Sequence, residues 1–188
     1  MRTTAELRAD ARSNRDQILT AAQQVFREQG VSVSMKDIAD AAGVGVGTLY
    51  RRFPDRGALI TAAAHSYLSA LADLAATADR ESPTAWQALT RILRECAELR
   101  LGALATAVEP TLHADIKSDP ALTEVRTTIT DRIADLTARA HTESALRRDV
   151  TPEDIARLMT LQIYAAPTEP YPAAINRVLD LLLDGLRP

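Results

Sequence analysis

The chain has 188 residues, 46% of them hydrophobic and 25% charged, with a formal net charge of −3, a single cysteine (Cys96) and three histidines. This length can bury one sizeable core or two small ones, and one cysteine excludes an internal disulfide and any multi-cysteine zinc site. No apolar run approaches the roughly 20 residues of a membrane helix, and the polar opening MRTTAELRADARSNRD lacks the apolar core of a secretion signal, so a cytoplasmic protein without a membrane partner is expected.

Ser13 followed by Asp16 reads as an N-cap with an acid in the first turn. The helix it opens places Ile18, Leu19, Ala22, Val25 and Phe26 on one buried face and stops at Gly30. Ser34 and Asp37 open a short second helix through Ile38, Ala39 and Ala42 that ends near Gly43, and between Gly43 and Gly45 only a tight turn fits. A third short helix starts near Val46, carries Leu49 and Phe53 on its inner side and is ended by Pro54. Asp55 then caps a long helix over about 56–79.

Ser82 and Pro83 mark the next N-terminus, with proline in the first turn, and Trp86, Leu89, Ile92, Leu93, Cys96 and Leu99 form the apolar stripe behind it. The chain breaks near Gly102 and runs through a short segment to Pro110 and beyond. Asp119 and Pro120 open a helix bearing Leu122, Val125, Ile129, Ile133 and Leu136; Thr151, Pro152, Glu153 and Asp154 open another bearing Ile155, Leu158, Met159, Leu161 and Ile163. The three prolines of APTEPYP, 166–172, make a loop. In the last helix, 173–186, the run LDLLLDGL is apolar around too much of its circumference for a lone surface helix. The fold class is therefore all-α, with about nine helices.

Residues 14–53 read as one unit, a long helix followed by a short helix, a glycine turn and a second short helix. In that helix-turn-helix arrangement the last helix enters the DNA major groove while the one before it braces against the backbone. Charge is distributed to match. Residues 1–60 carry nine Lys or Arg against seven Asp or Glu, net +2, and the remaining 128 carry thirteen against eighteen, net −5, as in a chain with one end for a polyanion and one without. Gly45 and Gly47 admit close approach of a phosphate, Thr48 and Tyr50 add hydroxyls, and Arg51, Arg52 and Arg56 add charge; Lys36, near the start of the bracing helix, points to the same groove. Each has a second reading: arginines solvated at a helix end, a core tyrosine, glycines that only make a turn.

The segment DIADAAGVGVGTLYRRFPDRGALI, residues 37–60, resembles the DNA-binding signature of the TetR (tetracycline repressor, TetR/AcrR) family of bacterial transcription regulators. The matches are Ile38-Ala39, Ala42-Gly43-Val44, Gly47-Thr48-Leu49-Tyr50, Phe53, the basic residue at 56 and Leu59, with Ile18, Ala21, Ala22, Phe26 and Gly30 in the helix before them. The resemblance implies that Tyr50 and Arg56 contact phosphates, that Gly47 and Thr48 approach DNA at the start of the recognition helix, and that Ser34 and Lys36 touch backbone or base edges. Arginine stands at 52 where relatives carry histidine, still placed for phosphate, and Gly45 and Val46 replace polar or basic side chains, so fewer base hydrogen bonds come from the helix start. Val46 remains among the DNA-facing residues. Arg12, Arg15, Arg2 and Arg8 are candidates for added backbone or minor-groove contact.

The resemblance further implies a division into a helix-turn-helix DNA-binding domain, residues 1–55 with a flexible N-terminal arm, and a helical effector-binding and dimerisation domain, residues 56–188. It also implies a homodimer on a palindromic double-stranded operator, released by a small molecule of unknown identity, most simply as a repressor, with activation left open. The resemblance places that dimer on the last two helices, with Ile155, Leu158, Met159, Ile175, Val178, Leu179, Leu182 and Leu186 as candidate interface residues, and the apolar strip from Leu179 to Leu186 independently asks for a partner surface. His65, Tyr67, Trp86, Cys96, His113, Met159 and Tyr164 are candidates for lining an effector pocket, with plain core packing as the other reading of each. The histidines His65, His113 and His141 are isolated, with no HExxH motif, nucleophile elbow or phosphate loop, so an enzyme is not expected. Glu109, His113 and Asp115 sit close in sequence, but a solvated helix end is the commoner reading of such a group; no metal and no cofactor are expected.

Overall fold

The computed structural model describes residues 4–29, 32–98, 118–161, 163 and 168–188; of residues 4–13, Arg27 and Tyr171 it describes the backbone. Eight helices are described: α1 Thr4–Gln29, α2 Met35–Ala41, α3 Val46–Arg52, α4 Arg56–Glu81, α5 Ala85–Glu98, α6 Pro120–Thr142, α7 Pro152–Met159 and α8 Tyr171–Gly185. Among the described residues there is no strand, so the all-α expectation holds. Gly30, Leu99, Gly102 and Pro110 lie outside the described residues, as do Glu109, His113 and Asp115.

The contacts divide the chain inside α4. One compact unit holds residues up to Tyr67 and the other begins at Leu68. The first unit is built on the stripe foreseen in α1: Ile18, Ala22 and Phe26 are buried, together with Ile38, Leu49, Phe53 and Leu59 from the three helices that follow. Helix α1 starts about ten residues earlier than Ser13, which lies inside it. The stretch TAELRADAR holds good helix formers and no breaker, so propensity carries the helix back past the local cap signal, and the expected flexible arm is helical from Thr4. At the head of α4 the Asp55 carboxylate accepts from the Ala58 N–H at 2.7 Å, as its position in the sequence predicts.

In the second unit the described members of the α5 stripe, Trp86, Leu89, Ile92, Leu93 and Cys96, are buried, but the start of the helix differs from the reading. Thr84, not Ser82, caps it: its hydroxyl accepts from the Gln87 N–H at 3.2 Å, which leaves Pro83 just outside the helix. Glu143, the C-cap of α6, adds its carboxylate to the same end, accepting from the Ala85 N–H at 2.9 Å. A charge at the positive end of a helix, supplied by a residue 58 positions away, leaves no local sequence signature. Helix α6 opens as read, on Asp119, whose carboxylate accepts from the Ala121 N–H at 2.9 Å. Helix α7 opens on a capping box between Thr151 and Asp154 but ends at Met159, so Leu161 and Ile163 fall outside it. Leu161 is exposed, whereas Ile163 joins Ala97 of α5 and Ile175 and Leu179 of α8 in one core cluster. Helix α8 begins at Tyr171 with Pro172 in its first turn, so the loop before it is shorter than the prolines suggested.

Helix α4 corrects another expectation. Over an 18-residue window its mean hydropathy is 1.2, long and apolar enough by composition to cross a membrane, yet 39% of that window is buried inside the protein. Of its apolar side chains Leu59, Ile60, Ala63 and Tyr67 are buried in the first unit, and Leu71, Ala75 and Ala78 in the second.

One polar knot in the second unit ties α4 to α6. Asp79 accepts from Arg132 at 2.8 Å and from Arg139 at 2.7 Å. The two guanidiniums, Arg139 foremost, hold the Asp79 carboxyl below the usual carboxylate range. A carboxyl depressed in the folded state contributes stability above its unfolded value and loses it as pH falls through the folded one. Asp79→Asn is therefore expected to cost about 1 kcal/mol at pH 7, since the partners are partly exposed. Urea melts should show the variant and the parent converging in acid, where Asp79 is protonated in both states. A cost that persists undiminished in acid would assign Asp79 a role other than charge pairing.

Candidate nucleic-acid interface

The outer face of the first unit is set by α2, the turn after it and α3. Ser34 caps α2 in a reciprocal box: its hydroxyl accepts from the Asp37 N–H at 3.1 Å and donates to the Asp37 carboxylate at 2.6 Å, while the Ser34 N–H donates to the same carboxylate at 3.2 Å. Those bonds hold the Asp37 carboxyl below its ordinary range. At the other end Gly43 takes φ +64°, its N–H bonding to Asp40 O and the Val44 N–H reaching back to Ala39 O, both at 3.0 Å. This Schellman ending requires a left-handed residue, where any Cβ is strained. Gln17 of α1 donates to the Ala42 carbonyl at 2.8 Å and fastens the turn from below.

Gly45 then begins α3, with the Thr48 and Leu49 N–H groups donating to its carbonyl at 2.8 and 3.1 Å. Leu49 and Phe53 are buried, and the Arg15 guanidinium lies 5.4 Å over the Phe53 ring. With the inner side of α3 committed to the core, Gly47, Tyr50, Arg51 and Arg52 are exposed, and Val46 and Thr48 partly so. Tyr50 is 47% exposed, which sets aside its reading as a core aromatic. A Cβ built at Gly45 or Gly47 meets nothing within 4 Å, so packing inside the chain does not demand either glycine. Arg51 donates to the Thr48 hydroxyl at 3.0 Å, and Lys36 pairs with Asp40 at 2.7 Å, a contact that raises the lysine pKa.

Two predicted contacts are differently employed. The Ser34 hydroxyl is taken up in the cap of α2. Arg56 turns inward: it is half-buried, donates to the Val33 carbonyl, and its second terminal nitrogen is buried without an acceptor. Sequence reasoning also missed the anchoring by Gln17 and the stacking of Arg15, because each acts across 25 or more positions with no motif of its own. Of the other arginines named for added contact, Arg2 lies outside the described residues, and of Arg8 and Arg12 only the backbone is described.

Residues 18–63 match the family described as bacterial regulatory proteins, tetR family. Residues 82–188, more than half of the chain, match the C-terminal domain of SbtR-like transcriptional regulators. The chain belongs to the TetR family. It is a transcriptional regulator with a helix-turn-helix DNA-binding domain, not an enzyme. A TetR transcriptional regulator of Streptomyces coelicolor is 32% identical, covering 93% of this chain and 98% of its own, with a TM-score of 0.61. A TetR regulatory protein of Mycobacterium vanbaalenii is 29% identical over 97% and 99% of the two chains, with a TM-score of 0.66. An HTH-type transcriptional regulator of Staphylococcus aureus is 46% identical over 54 residues, a match that spans 28% of this chain and 29% of that protein.

For a TetR-family regulator the open space at Gly47 makes a two-sided prediction. Gly47→Ala is expected to leave thermal stability unchanged or raise it by about 0.5 kcal/mol, since alanine suits a helix better than glycine. The same methyl should weaken duplex binding several-fold, read by fluorescence anisotropy, because it would stand between backbone and DNA. Binding equal to that of the parent would mean that the glycine serves no close approach.

In the second unit a cavity of about 280 Å³ opens between α4, α6 and α7, walled by Leu71, Ile129, Ile133, Ala156 and Met159, with Arg126 at its edge. Of the residues named from sequence, Met159 lines it. His65 is half-buried and Tyr67 buried, both in the first unit. Trp86 is buried beneath the Arg187 guanidinium, 5.4 Å from its ring. Cys96 is sealed in the inner stripe of α5, where burial pushes its thiol up to about 12. His113 and Tyr164 lie outside the described residues. The sequence could mark apolar positions as inward, but not which inward positions border a void. Among the described residues, no group of three or more His, Cys, Asp or Glu is placed to hold a metal.

The apolar positions read as a partner surface also divide. Ile155, Met159, Ile175 and Leu179 are buried inside the single chain, so they stabilise its own core and are not available to a partner. Leu158, Val178, Leu182 and Leu186 are half-buried, and Leu181, unnamed from sequence, is 66% exposed on α8.

Proposed function

We propose that this regulator is a cytoplasmic repressor that binds a palindromic operator as a homodimer and is released from it by a small molecule. The observation that carries the reading is the face of α3, where a tyrosine and two arginines stand exposed beside two glycines with open space above them. A duplex backbone asks for such donors on a rigid frame, and the capped, Schellman-closed turn supplies the frame. Residues 1–55 carry this DNA-binding role and residues 56–188 the effector and dimer roles, with α4 running from one to the other. Leu181, with Val178, Leu182 and Leu186, supports pairing through α8. The cavity bordered by Met159 supports a compact, largely apolar effector.

The test is binding to the DNA immediately upstream of the chain's own coding sequence. The reading expects a Kd of about 10⁻⁸ M or below at physiological salt, weakening steeply as salt rises, with two protomers per duplex. Leu181→Glu should yield a monomer in sedimentation and lose most of that affinity. Binding by a monomer, or equal affinity for every duplex offered, would contradict it.

A further inference from the structure

We infer that Val46 reads the C5-methyl of a thymine, and that this apolar contact is a main source of base discrimination at the start of α3. The inference rests on the operator-binding reading above and adds what the first turn of α3 recognises. In a helix-turn-helix the first residues of the second helix face base edges. Here those residues are Val46, Gly47 and Thr48, after Gly45. Gly45 and Gly47 have no side chain beyond hydrogen, and the Thr48 hydroxyl, which accepts from Arg51 at 3.0 Å, offers a base edge only a polar contact. At the start of α2 the Ser34 hydroxyl is bonded to Asp37, and Lys36 pairs with Asp40 at the surface.

Val46 is the apolar side chain of that turn with surface to offer. It is partly exposed, β-branched and stiff at χ1, so it loses little freedom on contact. In the major groove one feature rewards such a side chain, the thymine methyl, which adenine, guanine and cytosine lack. The absence of a Cβ at positions 45 and 47 lets the backbone settle deep enough for a short side chain to reach that methyl.

The experiment uses the full chain and the tightest-binding duplex recovered from a randomised pool, with each thymine replaced in turn by deoxyuridine, a change that removes only the methyl. One thymine in each half-site should prove sensitive, with about a four-fold loss of affinity for one methyl and about fifteen-fold when both half-sites are changed. Val46→Ala should bind the thymine duplex as weakly as the parent binds the uridine one, and should no longer distinguish the two. Val46 is partly exposed, so the variant should melt with the parent. A duplex indifferent to every uridine overturns the inference and leaves operator binding standing. Uridine sensitivity that survives in Val46→Ala overturns it too, since another group then reads the methyl. Failure to recover any preferred duplex sinks both the inference and the reading beneath it.

Discussion

Leu49→Ala is expected to remove about 3 kcal/mol from the first unit and to abolish DNA binding near 37 °C. Leu49 is fully buried on the inner side of α3, in a unit whose other fully buried large side chains are Ile18, Phe26, Ile38 and Leu59. Truncating a buried leucine loses its transfer energy and leaves a cavity that neighbours fill only in part, at a cost of about 2–5 kcal/mol. A unit of this size buries a modest share of its surface and has little stability in reserve. Helix α3, seven residues long, is too short to persist without that packing. Circular dichroism on heating should show part of the helical signal melting early while the remainder keeps the parental transition. Leu161→Ala, at a 40% exposed position outside the first unit, serves as a control and should melt with the parent. A Leu49→Ala protein with the parental melt would mean that α3 is not held by this core.

The second large effect concerns binding without folding. Replacing Arg51 and Arg52 together by alanine is expected to weaken duplex binding by about one hundred-fold at physiological salt and to leave melting unchanged, because both side chains are exposed at the last turn of α3. Each phosphate contact adds about 0.9 to the slope of log affinity against log salt. The double variant should thus lose about 1.8 per protomer from that slope, twice that for a dimer. Arg56→Ala should behave in the opposite manner. Its guanidinium grips the Val33 carbonyl from inside, so its loss should lower stability by about 1 kcal/mol and change the salt slope less than either exterior arginine. A salt slope unaltered in the Arg51/Arg52 variant would remove the phosphate role from both.

How far the sequence carried these conclusions depends on the range over which each feature acts. Ser34 with Asp37, Gly43, Asp119 and Thr151 with Asp154 are signals confined to a few residues, and the structure uses each as read. The inward stripe of α5 and the burial of Leu49 and Phe53 were equally legible, since helical period alone assigns a face. Features closed by distant partners were not. Glu143 on the end of α5, Gln17 beneath the turn and Arg56 on Val33 join residues 58, 25 and 23 positions apart. The two arginines at 52 and 56 look alike in the sequence, and only the fold separates an outward cation from an inward strut. The apolar strip of α8 was legible only in part for a related reason: hydrophobicity marks a helix that needs covering, while the choice between its own chain and a partner rests on three-dimensional packing. Ile175 and Leu179 are covered by α5 and Ile163, and Leu181 is left outside.

The most direct trial of the account is amide hydrogen exchange of the whole chain, free and bound to a duplex selected by the protein itself. Slowed exchange over 34–37 and 45–52, with the amides of α6 and the end of α5 unaltered, is the expected pattern. Protection concentrated in α6 and α7, with 45–52 exchanging as fast as in the free protein, would place the nucleic acid elsewhere and contradict the account.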